Sequence, residues 1–163
     1  MIYLNVQLSG LFGAPHPALK NVTTTQDVKK LRLQLKFLTC DFLTNEKLSL
    51  DQPSVSPACN LCQAPVDSIE HVLAVCRATS DVRSRLLPDL LNIVSKVQPS
   101  CSLFKNTASA DILTQFILDC PSLNLPDSFR IPAHNPDISE VFRFSRDFCF
   151  SISNERSRLL SVN

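Results

Sequence analysis

Apolar residues recur along much of this chain at alternating steps of three and four, the period of a helix that buries one face. The first stripe is Val28, Leu31, Leu35, Leu38 and Phe42, which predicts a helix from a cap at Thr25 to about Leu48. Lys29, Lys30, Arg32 and Lys36 fall on its other faces. A second stripe, Val82, Leu86, Leu90, Val94 and Val97, follows a cap at Thr79 or Ser80. Pro88 lies inside it, where a missing donor and a ring clash predict a kink or break. Ser109 opens a short third helix through Ile112, Leu113, Phe116 and Ile117, stopped by Pro121. A last helix is expected with Asn135 as cap and Pro136 at its first position. Its apolar side is Ile138, Val141, Phe142, Phe148 and Ile152, with Arg143, Arg146, Arg156 and Arg158 facing elsewhere.

The segments between these stripes break the period. Residues 1–24 hold Gly10, Gly13, Pro15 and Pro17 and read as an irregular arm with one short strand at Ile2 to Leu8. Asp51 to Pro57 is a loop with two prolines, and residues 121–136, with four, form a connector.

The proline loop delivers the chain into Cys59, Cys62, His71 and Cys76, spaced C-x2-C-x8-H-x4-C. Two cysteines on a tight turn can bite one ion, and a His and a Cys from the next segment complete a mixed thiolate and imidazole shell suited to one structural Zn2+. Four protein ligands leave no open position for a metal-bound water, so hydrolytic metal chemistry is not expected. Asp67 and Glu70 stand three apart, as in a capping box opening a short helix that carries His71. At about 100° per residue, Cys76 would lie about 140° around an ideal helix from His71. The helix must therefore end, tighten or loosen before Cys76 if both bind one ion. The remaining cysteines, Cys40, Cys101, Cys120 and Cys149, sit in or beside apolar faces and read as small buried hydrophobes. The fold expected is mostly α, a single helical domain over 1–163. It comprises an N-terminal arm (1–24), a helix (25–50), a zinc-stabilised CCHC finger (57–78) and C-terminal helices (79–163).

Composition narrows the function. A length of 163 residues with 44% hydrophobic side chains suffices for one core. Seven cysteines are an odd number and far below the density of a disulfide scaffold, which points to a reducing, intracellular compartment. No Lys or Arg precedes Lys20, and Asn5 and Gln7 interrupt the first apolar run, so a secretory leader is not expected. No stretch is apolar for long enough to span a membrane. The net charge of +1 gives no global basic field, so nucleic-acid contact would rest on local clusters. Those clusters are Lys29, Lys30, Arg32 and Lys36, and Arg77, Arg83 and Arg85 beside the finger. Three thiolates and one Zn2+ sum to minus one, so the second group could equally offset the charge of the site. A redox C-x2-C would sit at a strand end in a thioredoxin-like unit, a pattern not found around Cys59. A zinc deaminase needs His-x-Glu before its Cys pair, and His16 is followed by Pro17 and Ala18. Neither His16 nor His134 belongs to a motif pairing it with a thiol, so no enzyme, and no small-molecule substrate, is expected.

Several strings together resemble the C-terminal CCHC region of non-LTR retrotransposon reverse transcriptase polyproteins. They are Pro15-His16-Pro17, Lys29-Lys30-Leu31-Arg32, Phe37-Leu38-Thr39, Cys59-Asn60-Leu61-Cys62, Glu70-His71-Val72-Leu73 with Cys76, and the later Ser145 to Phe150 and Glu155 to Leu160. The resemblance implies the same four ligands and an accessory role in holding template RNA or target DNA. Cys40 stands where that family commonly has glycine after Leu-Thr, and the chain has no adjacent Asp-Asp pair for polymerase metals. The expectation is a detached tail: a non-enzymatic zinc module with auxiliary RNA or DNA binding. The alternative is a zinc-stabilised helical scaffold for protein partners, which an exposed apolar patch along Phe142 to Ile152 would favour.

Overall fold

The structure is a computed structural model, and it describes residues 21–97, 109–119 and 138–162. The described residues are mostly helical and contain no strand. Among the described residues five α-helices carry the fold: α1 (Thr25–Leu38), α2 (Asn45–Asp51), α3 (Ser80–Val97), α4 (Ala110–Asp119) and α5 (Ile138–Leu160). Between α2 and α3 lie a π-helical turn, His71–Val75, and a 3-10 turn, Arg77–Thr79. The strand expected at Ile2 to Leu8, the 121–136 connector, the Asn135 and Pro136 cap, Cys101, Cys120, His16 and His134 lie outside the described residues.

The first helix starts one residue earlier than its stripe suggests. Thr24 is the cap: its hydroxyl accepts the Asp27 N–H at 3.1 Å, while the Asp27 carboxylate accepts the Thr24 N–H at 2.9 Å. Nor does the helix run to Leu48. It ends at Leu38, where Cys40 takes φ of 59° and the Asp41 and Cys40 N–H groups bond back to the carbonyls of Lys36 (2.7 Å) and Phe37 (3.2 Å). This is a Schellman close, with a cysteine in the left-handed position that glycine usually fills. The reversal lays Phe42 on Phe37, ring centroids 4.0 Å apart, and leaves Cys40 exposed rather than buried. A new cap at Thr44 then starts α2.

Pro88 does not break α3, which is helical from Ser80 to Val97. Pro88 and Ser84, the residue whose carbonyl loses its partner, are both exposed, so water can replace the missing bond. Ser109 does cap α4, its hydroxyl accepting the Ile112 N–H at 3.4 Å.

Helix α5 is the hub, with α1, α3 and α4 all packed against it. Phe37, Leu90, Val94, Phe116, Ile117, Val141, Phe142, Phe148 and Ile152 form one buried cluster. The expected apolar side of α5 is this core face, so residues 142–152 do not form an exposed apolar patch. Two of its arginines reverse the expectation: Arg146 is 1% exposed and Arg156 6%. A buried polar seam crosses the same core. The Gln34 amide donates to Ser145 Oγ at 2.8 Å and the Ser145 hydroxyl donates to the Ile117 carbonyl, joining α1, α5 and α4.

Candidate metal centre

The site is built by two local devices. In the first, the chain after the proline loop folds into a knuckle. The Cys59 N–H bonds to the Ala64 carbonyl and the Gln63 N–H to the Cys59 carbonyl, each at 2.9 Å, and Gln63 takes φ of 60° to close the turn. The knuckle is anchored at its base by Asn45, whose side chain donates to the Ala58 carbonyl at 2.5 Å, and by the Asp67 N–H, which donates to Pro57 at 2.8 Å. Backbone N–H groups point at the sulfurs, Ala64 and Arg77 at Cys62 and Ala78 at Cys76, as suits thiolate acceptors.

The second device is the turn that carries the histidine. Ser68, not Asp67, caps it: the Ser68 hydroxyl accepts the His71 N–H at 3.1 Å. From His71 the ladder widens to the π pattern, and the Cys76 N–H donates to the His71 carbonyl at 2.7 Å. Cys76 itself has left the helix, with ψ of 121°. The loosened turn brings the fifth residue back beneath the first, removing the angular conflict of an ideal helix. Arg83 from α3 then holds the free carbonyls of this turn, donating to Cys76 at 2.5 Å and to Leu73 at 3.3 Å.

The four ligand atoms lie within 4.8 Å of one another. Sγ of Cys76 is 4.0 Å from that of Cys59 and 3.8 Å from that of Cys62, and His71 Nε2 is 3.3 Å from Cys62 Sγ. A tetrahedral Zn2+ with bonds of about 2.3 Å to sulfur and about 2.0 Å to nitrogen gives S–S edges of about 3.8 Å and S–N edges of about 3.5 Å. These three edges match a zinc ion in size, and all four donors suit it in type. Among the described residues no other group of His, Cys, Asp or Glu side chains meets in this way.

Electrostatics agree with the geometry. Burial, followed by the neighbouring Cys59 and Cys62, pushes the Cys76 thiol up to about 11. For Cys62 burial acts in the same upward sense, but hydrogen bonds from the Ala64 backbone and the other two thiols and from the Arg77 backbone outweigh it, and the thiol is lowered. Burial lowers His71, helped by Arg156 and Arg83 and opposed by Asp67, so its imidazole is held neutral with a lone pair to give. Three sulfurs this close cannot all carry charge unless a cation sits among them.

The basic residues are placed less coherently. Lys30 is committed to Asp147 at 2.6 Å, and Arg83 to the carbonyls of the π turn. Lys29, Arg32 and Lys36 on α1, Arg77 in the 3-10 turn and Arg85 on α3 are exposed. Missed by sequence reasoning was Arg156, whose guanidinium reaches Cys59 Sγ at 3.9 Å and Asp67 Oδ2 at 2.5 Å. Its sequence position, among the polar residues between the apolar positions of α5, offered no signal.

Comparison with protein-family models, with curated proteins and with solved structures finds no match. What the fold and the site define is a class: a helical domain with a four-residue Cys3His cluster able to hold a metal ion. No helix of the described residues is long and apolar enough to cross a membrane.

Proposed function

We propose that this protein is a non-enzymatic structural zinc module of retrotransposon reverse transcriptase descent, with auxiliary binding of RNA or DNA. The observation that carries the zinc reading is the convergence of Cys59, Cys62, His71 and Cys76 at tetrahedral separations. Four protein donors complete the shell, so the ion holds the chain and leaves no position for substrate. Free thiolates as ligands suit a reducing intracellular compartment. The descent rests on the family-like strings around the finger and its preceding helix. Metal analysis of the purified protein tests the zinc reading: one equivalent is expected, lost in both Cys59→Ala and His71→Ala. Full zinc content in either variant overturns it.

The nucleic-acid part rests on the exposed cations Lys29, Arg32, Lys36, Arg77 and Arg85, since Lys30 and Arg83 already have intramolecular partners. Binding of single-stranded RNA should weaken with salt, log K falling with a slope of about −0.7 per phosphate contacted. A slope near zero removes this part and leaves the zinc reading in place. A protein-docking scaffold is favoured by a separate observation: Leu43, Leu50, Val66 and Val75 are exposed apolar residues. A stable dimer in sedimentation would support that reading.

A further inference from the structure

Resting on the zinc reading, we propose that Arg156 is the positioning cation of the metal centre and couples metal affinity to the docking of the C-terminal helix. Three thiolates and one Zn2+ leave a charge of minus one at a place where Cys59 is 0% and Cys76 1% exposed. Beside it stands a second negative group, the fully buried Asp67. Two buried negative charges side by side are costly unless a cation lies between them. Arg156 occupies that place. One arm of its guanidinium is 3.9 Å from Cys59 Sγ and the other 2.5 Å from Asp67 Oδ2. The same carboxylate oxygen accepts the Asn45 N–H at 2.9 Å, so the pair also fastens the start of α2 to the knuckle.

Arg156 is the donor that suits this task, because its planar fork addresses two acceptors at fixed separation and stays charged when buried. It comes from α5, 97 residues beyond Cys59, whereas all four ligands are local in sequence. One guanidinium thus ties the finger's first cysteine and the carboxylate behind it to α5, beside the hold that Arg83 of α3 has on the π turn. Coupling is reciprocal: if docking of α5 tightens zinc, zinc tightens the docking of α5 by the same factor.

Zinc affinity of the full chain, by competition with a chromophoric chelator, tests the proposal once the wild type has been shown to hold one equivalent. A wild type without zinc would instead overturn the metal reading itself. Arg156→Met should lower the affinity by about 10- to 100-fold, the effect typical of residues that orient metal ligands, and Arg156→Lys, which keeps the charge and loses the fork, should recover part of it. Wild-type affinity in Arg156→Met, or a Lys variant as weak as Met, overturns the proposal. If Arg156→Met does not fold, the double variant Arg156→Met with Asp67→Asn, free of the unpaired buried carboxylate, carries the second measurement. In the wild type, chelation should speed amide exchange in residues 153–160, and in the double variant it should not. Equal responses in the two proteins show a merely structural contact and overturn the coupling.

Discussion

The carbonyl of His71 accepts a hydrogen bond from the Cys76 N–H at 2.7 Å, five residues on, and this single π-type bond sets two ligands on one side of the chain. An α-helical bond at the same place would be to residue 75 and would carry Cys76 around the axis. The price is one wide turn, a form that is rare and found mostly at functional sites.

Removing zinc should dissolve this arrangement, and loosen the end of α5 that Arg156 ties to it, before it reaches the contacts among α1, α3 and α4. Structural zinc contributes about 10–16 kcal/mol in small finger peptides, comparable with the about 5–15 kcal/mol of a whole domain. Hydrogen exchange with and without chelator should show protection lost across residues 59–79. Retained protection of the Cys76 N–H in the chelated protein would contradict this.

Cys40 is an improvable position. Its φ of 59° is easy only for glycine, and a side chain there costs about 1–2 kcal/mol. Part of the relief is cancelled by the greater freedom of glycine in the unfolded chain. Cys40→Gly should therefore raise stability by up to about 1 kcal/mol in urea unfolding, and Cys40→Val should lower it.

The seam through Ser145 is predicted to matter more than its size suggests. Ser145→Ala strands the Ile117 carbonyl in the core and leaves the Gln34 amide with only its 3.4 Å bond to the Leu118 carbonyl, and a buried unpaired group costs about 1–3 kcal/mol. Calorimetry should show a clear fall in Tm. Replacing Gln34 by Leu in the same chain should recover part of it, because the weakened amide is then gone from the core.

The pH response of the first helix follows from Asp27. The Thr24 hydroxyl first, then the Thr24 and Thr23 N–H groups, hold its carboxyl below its usual 3.8. A lowered folded value means the stabilisation is complete above the unfolded value and is lost as pH falls through the folded one. Amide protection at the start of α1 should therefore persist at pH 5 and fade below 3.8, in step with the Asp27 side-chain shift. In Asp27→Asn that fading should be absent.

The ligand set could be read from the chain alone because all four residues fall between positions 59 and 76. Spacing within so short a loop limits what geometry they can reach. The same local reasoning showed that a regular helix could not join His71 to Cys76, and it placed α4 and its Ser109 cap. The stripe Val28, Leu31, Leu35, Leu38 and Phe42 misled for a related reason. Its period continues through the Schellman turn, where Phe42 reaches the core by reversing onto Phe37 rather than by extending the helix.

Periodicity records which side chains are apolar, and it places charged residues on the surface by default. Only the tertiary structure decided that Arg156 lies inward, since the carboxylate that makes its burial tolerable, Asp67, is 89 residues away. Gln34 and Ser145 meet across 111 residues for the same reason. The sequence by itself determined the Cys3His set, the apolar faces of most helices and the need for an irregular turn, all consequences of bonding between near neighbours. Which polar groups are paired in the core depends on chain segments brought together only by folding, and no local pattern encodes that.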